Sequence, residues 1–211
     1  MAPPDRHPRP APRPRGEGGT REQVVQATLE TLKREGLKNA SARAIARTGG
    51  FNPALTFYYF RSLDGVLLAA LDAASNASLT RWKAVLEGAG TIEELLAAAL
   101  AQYREDVASG HTTVVAELIG ASHARPELRP GIIERTEPWL ELIETTMTRV
   151  LAGSPFEGLA TPRELAYVGL SLSLGVNLFV YLDTDKTRVE TLFSLAERVS
   201  PLLGMLQPGG D

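Results

Sequence analysis

Apolar residues recur every three or four positions over most of the chain, and no segment shows the alternation of a half-buried strand. The first such stripe, Val24, Ala27 and Leu32, predicts an amphipathic helix that begins at a capping-box spacing, Thr20–Gln23, and ends at Gly36. The same spacing predicts an all-α protein with about nine helices. The further helices are expected over residues 42–48, 53–60, 62–88, 91–109, 112–122, 127–151, 162–182 and 187–206.

Capping and proline signals place several of these boundaries. Thr161 and Glu164 form a capping-box pair with Pro162 at the first helical position, so a helix is expected to begin there. Pro138 lies inside a predicted helix, where it removes a backbone donor and predicts a kink or break. Pro201 is expected to bend the last helix for the same reason.

A helix, a short turn and a second helix follow one another from Ser41 onwards. Ser41 is a good N-cap, and Gly49-Gly50 ends the first helix because glycine adopts the left-handed conformation without a Cβ penalty. Asn52-Pro53 then starts the second helix, since Asn caps and Pro is favoured at the first helical position. So short a turn gives helix-turn-helix spacing; the alternative is an ordinary tight corner inside an all-α protein.

The corner and its flanks share spaced residues with a known family. They are Gly36, Ile45-Ala46, Gly50, the aromatic run Phe57-Tyr58-Tyr59-Phe60, and the acidic-then-leucine start of the next helix from Asp64 to Leu68. On these residues, the segment from Thr20 to about Ala70 resembles the DNA-binding headpiece of the tetracycline-repressor (TetR) family of bacterial transcription regulators. The resemblance implies that the second helix of the corner enters the major groove while the first crosses the DNA backbone.

The resemblance also implies a set of DNA contacts, carried over by motif position. These are Ser41 and Arg43 from the first helix, Asn52 at the start of the second, Pro53, Ala54 and Leu55 facing base edges, and Phe57, Tyr58 and Tyr59 along the backbone. Many family members carry Tyr in place of Phe57 and Lys in place of Leu63, so one phosphate hydroxyl and one phosphate charge are missing here. Arg43 is therefore the strongest candidate for bidentate contact to guanine, with Ala54 and Leu55 offering apolar contact to thymine methyls.

Charge is divided unevenly along the chain. Residues 1–70 hold 11 Lys/Arg and 6 Asp/Glu, whereas residues 71–211 hold 11 and 19, for a net charge of −3. The basic half carries the motif, and the acidic half would keep the rest of the chain off the duplex. We therefore expect a disordered Pro/Arg-rich tail over 1–19, a DNA-binding domain over 20–70, and a ligand-binding and dimerisation domain over 71–211. The arginines of the tail could reach a minor groove, although a solvated tail is the simpler interpretation.

Composition disfavours several other classes of protein. The 44% hydrophobic content suffices for a core, and neither an uninterrupted apolar run for a membrane span nor a secretory signal is found. The chain has no Cys, which fits a reducing cytoplasm. Its three His, at 7, 111 and 123, have no nucleophile or carboxylate at catalytic or ligand spacing, so no catalytic site, metal or cofactor is expected.

A small-molecule site is expected in the second half. Tyr103, His123, Trp139, Met147 and Asn177 fall on or near inward-facing helical stripes, and apolar pockets with a few polar groups are the usual form of ligand site. Taken singly, the aromatic residues and Met are better explained as core, and His123 as a partner of a helix dipole. What favours a pocket is the resemblance, because family members hold an effector between the helices of this domain and release DNA when it binds.

The predicted helix 162–182 is apolar on nearly every face and therefore needs cover on every face. A second subunit is the simplest source of cover, and the resemblance implies the same, with the last two helices of each subunit forming a four-helix dimer interface. The residues expected there are Ala166, Gly169, Ser173, Val176, Leu192, Ala196 and Val199.

The sequence thus predicts a cytoplasmic, homodimeric transcription regulator. We expect a repressor that a small-molecule effector releases from a near-palindromic double-stranded DNA operator, with no membrane partner. The alternative is a helical ligand-binding or protein-interaction module without a DNA-binding role, and a helical enzyme is a more distant one.

Overall fold

The computed structural model describes residues 17–153, 157–183 and 187–204. Within these ranges it contains only helices and their connections, so the all-α class is confirmed. The predicted tail lies outside the described residues except for its last three, which belong to the first helix. The α-helices are α1 Glu17–Glu35, α2 Ala42–Gly49, α3 Ala54–Phe60, α4 Leu63–Glu87, α5 Ile92–Ser109, α6 His111–Ala124, α7 Arg129–Glu134, α8 Glu137–Leu151, α9 Pro162–Leu182 and α10 Thr187–Gly204, with 3₁₀ turns at Leu37–Asn39 and Pro126–Leu128.

Two capping boxes begin helices where the sequence predicts them. The Thr91 hydroxyl accepts a hydrogen bond from the Glu94 amide at 3.1 Å, and the Glu94 carboxylate accepts one from the Thr91 amide at 3.3 Å. Thr161 and Glu164 form the second box at 3.2 and 2.7 Å, with Pro162 in the first turn. Each box satisfies two amides that have no intrahelical partner, and the starts of α5 and α9 are confirmed.

Helix α1 begins one turn earlier than predicted. It starts at Glu17, so Thr20 lies inside the helix and the capping box expected there is wrong. Gln23, the expected partner in that box, donates from Nε2 to the carbonyl oxygen of Gly49 at 3.2 Å. This bond ties α1 to the end of α2, a tertiary contact that spacing along the chain does not reveal.

The chain breaks just before Pro138 rather than at it. Helix α7 ends at Glu134 and α8 begins at Glu137, so Pro138 occupies the first turn of a new helix, where its missing N–H costs nothing. At the break, Arg135 donates to Asp72 of α4 at 2.7 Å. This division yields ten α-helices in the described ranges, one more than the sequence suggests.

One hydrophobic core joins the first helix, α1, to α4 and α6. Leu32, Leu67 and Leu118 are fully buried in it, and they come from α1, α4 and α6. The other buried members are Leu29, Ala40, Ala70, Leu71 and Val114. Since α6 packs directly on α1, this core crosses the position near residue 70 where the sequence suggests a domain boundary.

Truncation of this core should destabilise the whole chain. Leu32→Ala is expected to lower the free energy of unfolding by about 2–5 kcal/mol, because it leaves a cavity where a side chain with 0% exposure stood. Urea unfolding followed by circular dichroism and by tryptophan fluorescence should give one coincident transition. Leu159→Ala, at a side chain that is 80% exposed, is the control. Two separate transitions, or equal losses in both variants, would contradict a shared core.

Candidate nucleic-acid interface and internal cavity

The predicted corner is present as α2, a short turn and α3. The Ser41 hydroxyl accepts from the Ala44 amide at 3.2 Å, and Gly50 ends α2 with a left-handed φ of 69°. The side-chain oxygen of Asn52 accepts from the Ala54 amide at 2.9 Å, which caps the start of α3. The left-handed φ at Gly50 favours glycine, so the glycine at this position fits the conformation that the turn requires.

Exposure decides which of the predicted DNA-contact residues face solvent. Phe57 is 51% exposed and Tyr58 is 69% exposed, high values for aromatic side chains. Leu55 and Tyr59 instead pack against the core around Val24, so they contribute less surface than the sequence analysis assumes, and Pro53 is half-buried. The exposed set, called here the α3 face, consists of Ser41, Arg43, Asn52, Ala54, Phe57 and Tyr58.

Positive charge on and beside the α3 face is free of carboxylates. Arg43, Lys38 and Arg61 are exposed and form no hydrogen bond or ion pair with another residue in the described part of the chain. Arg47, by contrast, is held by Glu35 at 3.1 Å. Phosphates need cations of the unpaired kind. The sequence analysis does not include Lys38 and Arg61, and only their places beside α2 and at the end of α3 could have suggested them.

The second half of the chain contains a cavity of about 770 Å³ that is lined by all the helices from α4 to α10. Of the five predicted ligand residues, Tyr103, Trp139, Met147 and Asn177 line it. His123 does not, and its assignment to the ligand site is corrected: it is exposed near the end of α6 and lies off the helical stripe that faces inward. That stripe is His111, Thr112, Val115, Leu118, Ile119 and Ser122.

A buried hydrogen bond joins two of the predicted ligand residues. The Tyr103 hydroxyl of α5 donates to Oδ1 of Asn177 on α9 at 2.6 Å, and both side chains are 7% exposed. Burial, followed by the negative charge of Asp106, raises the pKa of Tyr103, so its hydroxyl stays protonated. The pair therefore forms a neutral polar edge on a mainly apolar wall.

Asp106 lines the cavity as a carboxylate whose bonding capacity is filled. It accepts from Ser78 at 2.7 Å, Arg81 at 2.9 Å, Trp82 at 2.6 Å and Gln102 at 3.4 Å. The guanidinium of Arg81 balances its charge. A carboxylate with four donors has little capacity left for a ligand. The sequence analysis misses this cluster, although the three donors on α4 share one helical face.

His111 is a cavity residue that the sequence analysis considers only as a poor metal ligand. It is 9% exposed, and its ring stacks on Trp139 with centroids 6.1 Å apart. Burial is the main cause that lowers the pKa of His111; Asp106 opposes it, while Arg81 and Lys33 add to it. Its Nδ1 is buried without a hydrogen-bond partner in the described chain. A neutral, unsatisfied imidazole therefore forms part of the wall.

Helix α9 turns its small residues towards its own subunit, contrary to the dimer interface predicted from the sequence. Ala166 is 0% exposed, a Cβ added at Gly169 would lie 3.5 Å from Ile143 of α8, and Ser173 and Val176 line the cavity. These four assignments are therefore corrected. Small residues permit the close approach of any helix, and here α8 and the cavity occupy that side.

The opposite face of α9 brings large apolar side chains to the surface. Val168, Leu172 and Phe179 are 64%, 65% and 50% exposed around Gly175, and Leu172 also borders the cavity. From α10, Leu192 and Val199 of the predicted set are exposed, while Leu192 and Ala196 both line the cavity. The apolar face, as named here, consists of Tyr167, Val168, Leu172, Gly175, Leu178, Phe179 and Leu182 with Leu192, Leu195, Val199 and Leu202.

By length and composition alone, α9 could cross a membrane, with a mean hydropathy of 1.8 over its most apolar window. Helices α3 and α4 pass the same test if taken as one bent pair. No apolar run long enough to span a membrane is predicted from the sequence, since Ser171, Ser173 and Asn177 lie among the apolar residues of α9.

The outer side of α6 is bonded to the headpiece, defined here as α1 to α3 with the start of α4. Glu117 accepts from the Leu37 amide before α2 at 2.9 Å and from the Tyr181 hydroxyl of α9 at 2.9 Å. Arg125, at the end of α6, pairs with Asp64 at the start of α4. The helix that forms one wall of the cavity therefore also holds the base of the helix-turn-helix.

The architecture is a helix-turn-helix headpiece fixed to a cavity-bearing helical domain. No family model and no curated protein matches the sequence. Solved structures do match. A TetR-family transcriptional regulator from Rhodococcus sp. has a TM-score of 0.70 at 18% identity, over 89% of this chain and 99% of that one.

Two further structures carry ligands in their descriptions. FadR from Bacillus subtilis in complex with stearoyl-CoA has a TM-score of 0.69 at 18% identity, over 87% of this chain and 97% of its own. A regulator from Saccharomonospora viridis in complex with choline has a TM-score of 0.67 at 19% identity, over 87% and 96%. The chain thus has the fold of the TetR-family regulators, and these neighbours are described as transcription regulators rather than enzymes.

The lowered pKa of His111 predicts acid-sensitive stability. Below the usual histidine pKa of about 6.5, the unfolded chain binds a proton that the folded chain does not. The free energy of unfolding therefore decreases as the pH is lowered, by up to about 1.4 kcal/mol per pH unit. His111→Gln should remove this part of the slope, whereas His123→Gln should retain it. Urea midpoints between about pH 5 and 7.5 measure the difference. Equal slopes in wild type and His111→Gln would contradict a neutral buried imidazole.

Proposed function

We propose that the protein is a transcription regulator that binds an operator through the α3 face and leaves it when a small molecule fills the cavity. The observation that carries this proposal is the connection through α6, whose inner side lines the cavity and whose Glu117 bonds the headpiece. The fold supports it, as do the ligands described for the neighbouring structures. We also propose that the protein represses transcription and that it is located in the cytoplasm, where its DNA target lies.

Packing provides the route from cavity to DNA. Leu71 and Leu118 belong both to the core shared with the headpiece and to the cavity wall. An effector that displaces them therefore acts on the core beneath α1 and α4, and packed cores change between discrete arrangements rather than deforming continuously. In a dimer this alters the distance between the two α3 helices, while half-sites about 34–36 Å apart tolerate little change.

We propose that the apolar face of α9 and α10 is the homodimer interface. Exposed apolar patches of this extent are uncommon on soluble monomers, and a two-fold axis presents the same patch on both subunits. Hydrogen bonds from Tyr103 to Asn177 and from Tyr181 to Glu117 tie α9 into the helical domain. A second subunit, rather than a membrane, is therefore the cover proposed for this face.

A gel-shift titration against the DNA upstream of the protein's own gene tests the function. We expect a retarded complex that weakens as salt is raised and that a scrambled fragment does not compete away. If no complex forms although small molecules still bind the cavity, the protein is a helical ligand-binding module without a DNA-binding role.

The dimer proposal predicts that one new charge on α9 dissociates the protein. Gly175→Arg should give monomers at micromolar concentration and weaken operator binding, because a two-fold interface meets the charge twice. The monomer should still fold, since a Cβ at Gly175 meets no atom within 4 Å. Gly120→Arg on α6, where a Cβ is equally unobstructed, is the matched control. A Gly175→Arg protein that remains dimeric by light scattering would place the interface elsewhere.

The α3 face predicts two different kinds of DNA contact. Arg43→Ala should relax base preference at one position of each half-site by about 1–3 kcal/mol, because a bidentate contact to guanine is lost. Tyr58→Phe should weaken binding to all sequences alike, since its hydroxyl is expected on a phosphate. Anisotropy titrations over single-base operator changes separate the two, with Arg104→Ala in the second half as control. An unchanged preference profile in Arg43→Ala would reduce that arginine to a backbone contact.

A further inference from the structure

The cavity is elongated along α4. Its lining follows α4 from Leu71 to Leu86, which corresponds to roughly 22 Å of helix. This shape suits one hydrocarbon chain or one flat ring system and disfavours a compact globular ligand.

The buried charged side chains of the cavity wall are already paired with other residues. Asp106, the one carboxylate that lines the cavity among the described residues, is filled by four donors. Arg135 is held by Asp72 and also donates to the Gly131 carbonyl at 2.7 Å. Arg129 is exposed and donates to the Ser122 carbonyl at 2.9 Å. Arg129 pairs with no carboxylate in the described ranges, but its side chain is exposed to water, so a charged group in the buried part of the cavity would have no unpaired countercharge to offset its loss of hydration.

One polar group in the wall is, by contrast, unsatisfied. His111 is nine-tenths buried, and neither ring nitrogen forms a hydrogen bond with another residue in the described ranges. Its Nδ1 has almost no accessible surface, so Nε2 is the ring nitrogen that a molecule in the cavity could reach. Because buried polar groups are nearly always paired, we take Nε2 as the atom whose partner a ligand would supply. A neutral imidazole offers one donor and one acceptor, which a hydroxyl or a carbonyl oxygen can meet.

We propose that the effector is an uncharged, elongated and mainly apolar molecule with one hydroxyl or carbonyl oxygen that hydrogen-bonds to the His111 side chain. This inference rests on the proposed function, in which the cavity holds the effector. The stacked ring of Trp139 covers one side of the imidazole, and the Tyr103–Asn177 pair offers a second polar edge on the same cavity. The remaining wall contributes apolar contact along the length of the ligand.

Intrinsic fluorescence reports directly on this site, because both tryptophans of the chain, Trp82 and Trp139, line the cavity. Three probes share one alkyl chain and differ in the charge of the head group: 1-decanol, decanoate and decyltrimethylammonium. All three probes are titrated at concentrations below those at which the ions form micelles. We expect 1-decanol to bind about tenfold or more tightly than either ion, because only the ions must remove water from a charged group.

The anchor is tested with variants of the two histidines. His111→Leu should weaken 1-decanol binding about five- to tenfold, the value of one net hydrogen bond. His111→Gln retains a hydrogen-bonding group and should keep most of the affinity, which separates loss of the anchor from a folding defect. His123→Leu, at an exposed residue outside the cavity, should bind as wild type does.

Tighter binding of decanoate or of the cation would overturn the proposed ligand class, as would the absence of quenching by 1-decanol. Equal affinity of wild type and His111→Leu would remove the anchor. None of these titrations contains DNA, so such a result leaves operator binding to be judged by the gel shift, and a failed gel shift leaves these titrations valid.

Discussion

Helix α6 is packed between the headpiece and the cavity, and the remaining architecture depends on that packing. Its Leu118 lies in the core with α1 and α4 and also forms cavity wall, while Glu117 holds the amide of Leu37. Since protein interiors are close-packed, we expect a change in what fills the cavity to be accompanied by a change in the position of the headpiece. Separate, loosely linked domains would not be coupled in this way.

The headpiece and the cavity also differ in whether their charged side chains are paired. Arg43 on the α3 face and Lys38 beside it are exposed without a partner in the described chain, as a surface for phosphates requires. In the second half, by contrast, Arg163 is held by Glu137 and Glu144 at 2.6 and 3.1 Å. Unpaired cations thus lie where DNA is proposed to bind, and the carboxylate of the cavity wall, Asp106, is already paired with Arg81.

Local rules recovered much of the fold from the sequence. The Thr91 and Thr161 capping boxes and the turn at Gly50 need only neighbouring residues, and all are present as expected. Long-range packing was beyond such rules: the phase of α6 turns His123 out and His111 in, and the small residues of α9 were matched with a second subunit when their partner is α8. Periodicity shows that a face is apolar without showing which surface covers it.

The central claim is that cavity and operator sites are energetically coupled through α6. The direct measurement is operator affinity, by fluorescence anisotropy, with and without a compound that tryptophan quenching shows to fill the cavity. We expect filling to weaken operator binding by tenfold or more, operator DNA to weaken the compound by the same factor, and Glu117→Ala to reduce both effects together. An operator affinity that is unchanged when the cavity is full would contradict the account.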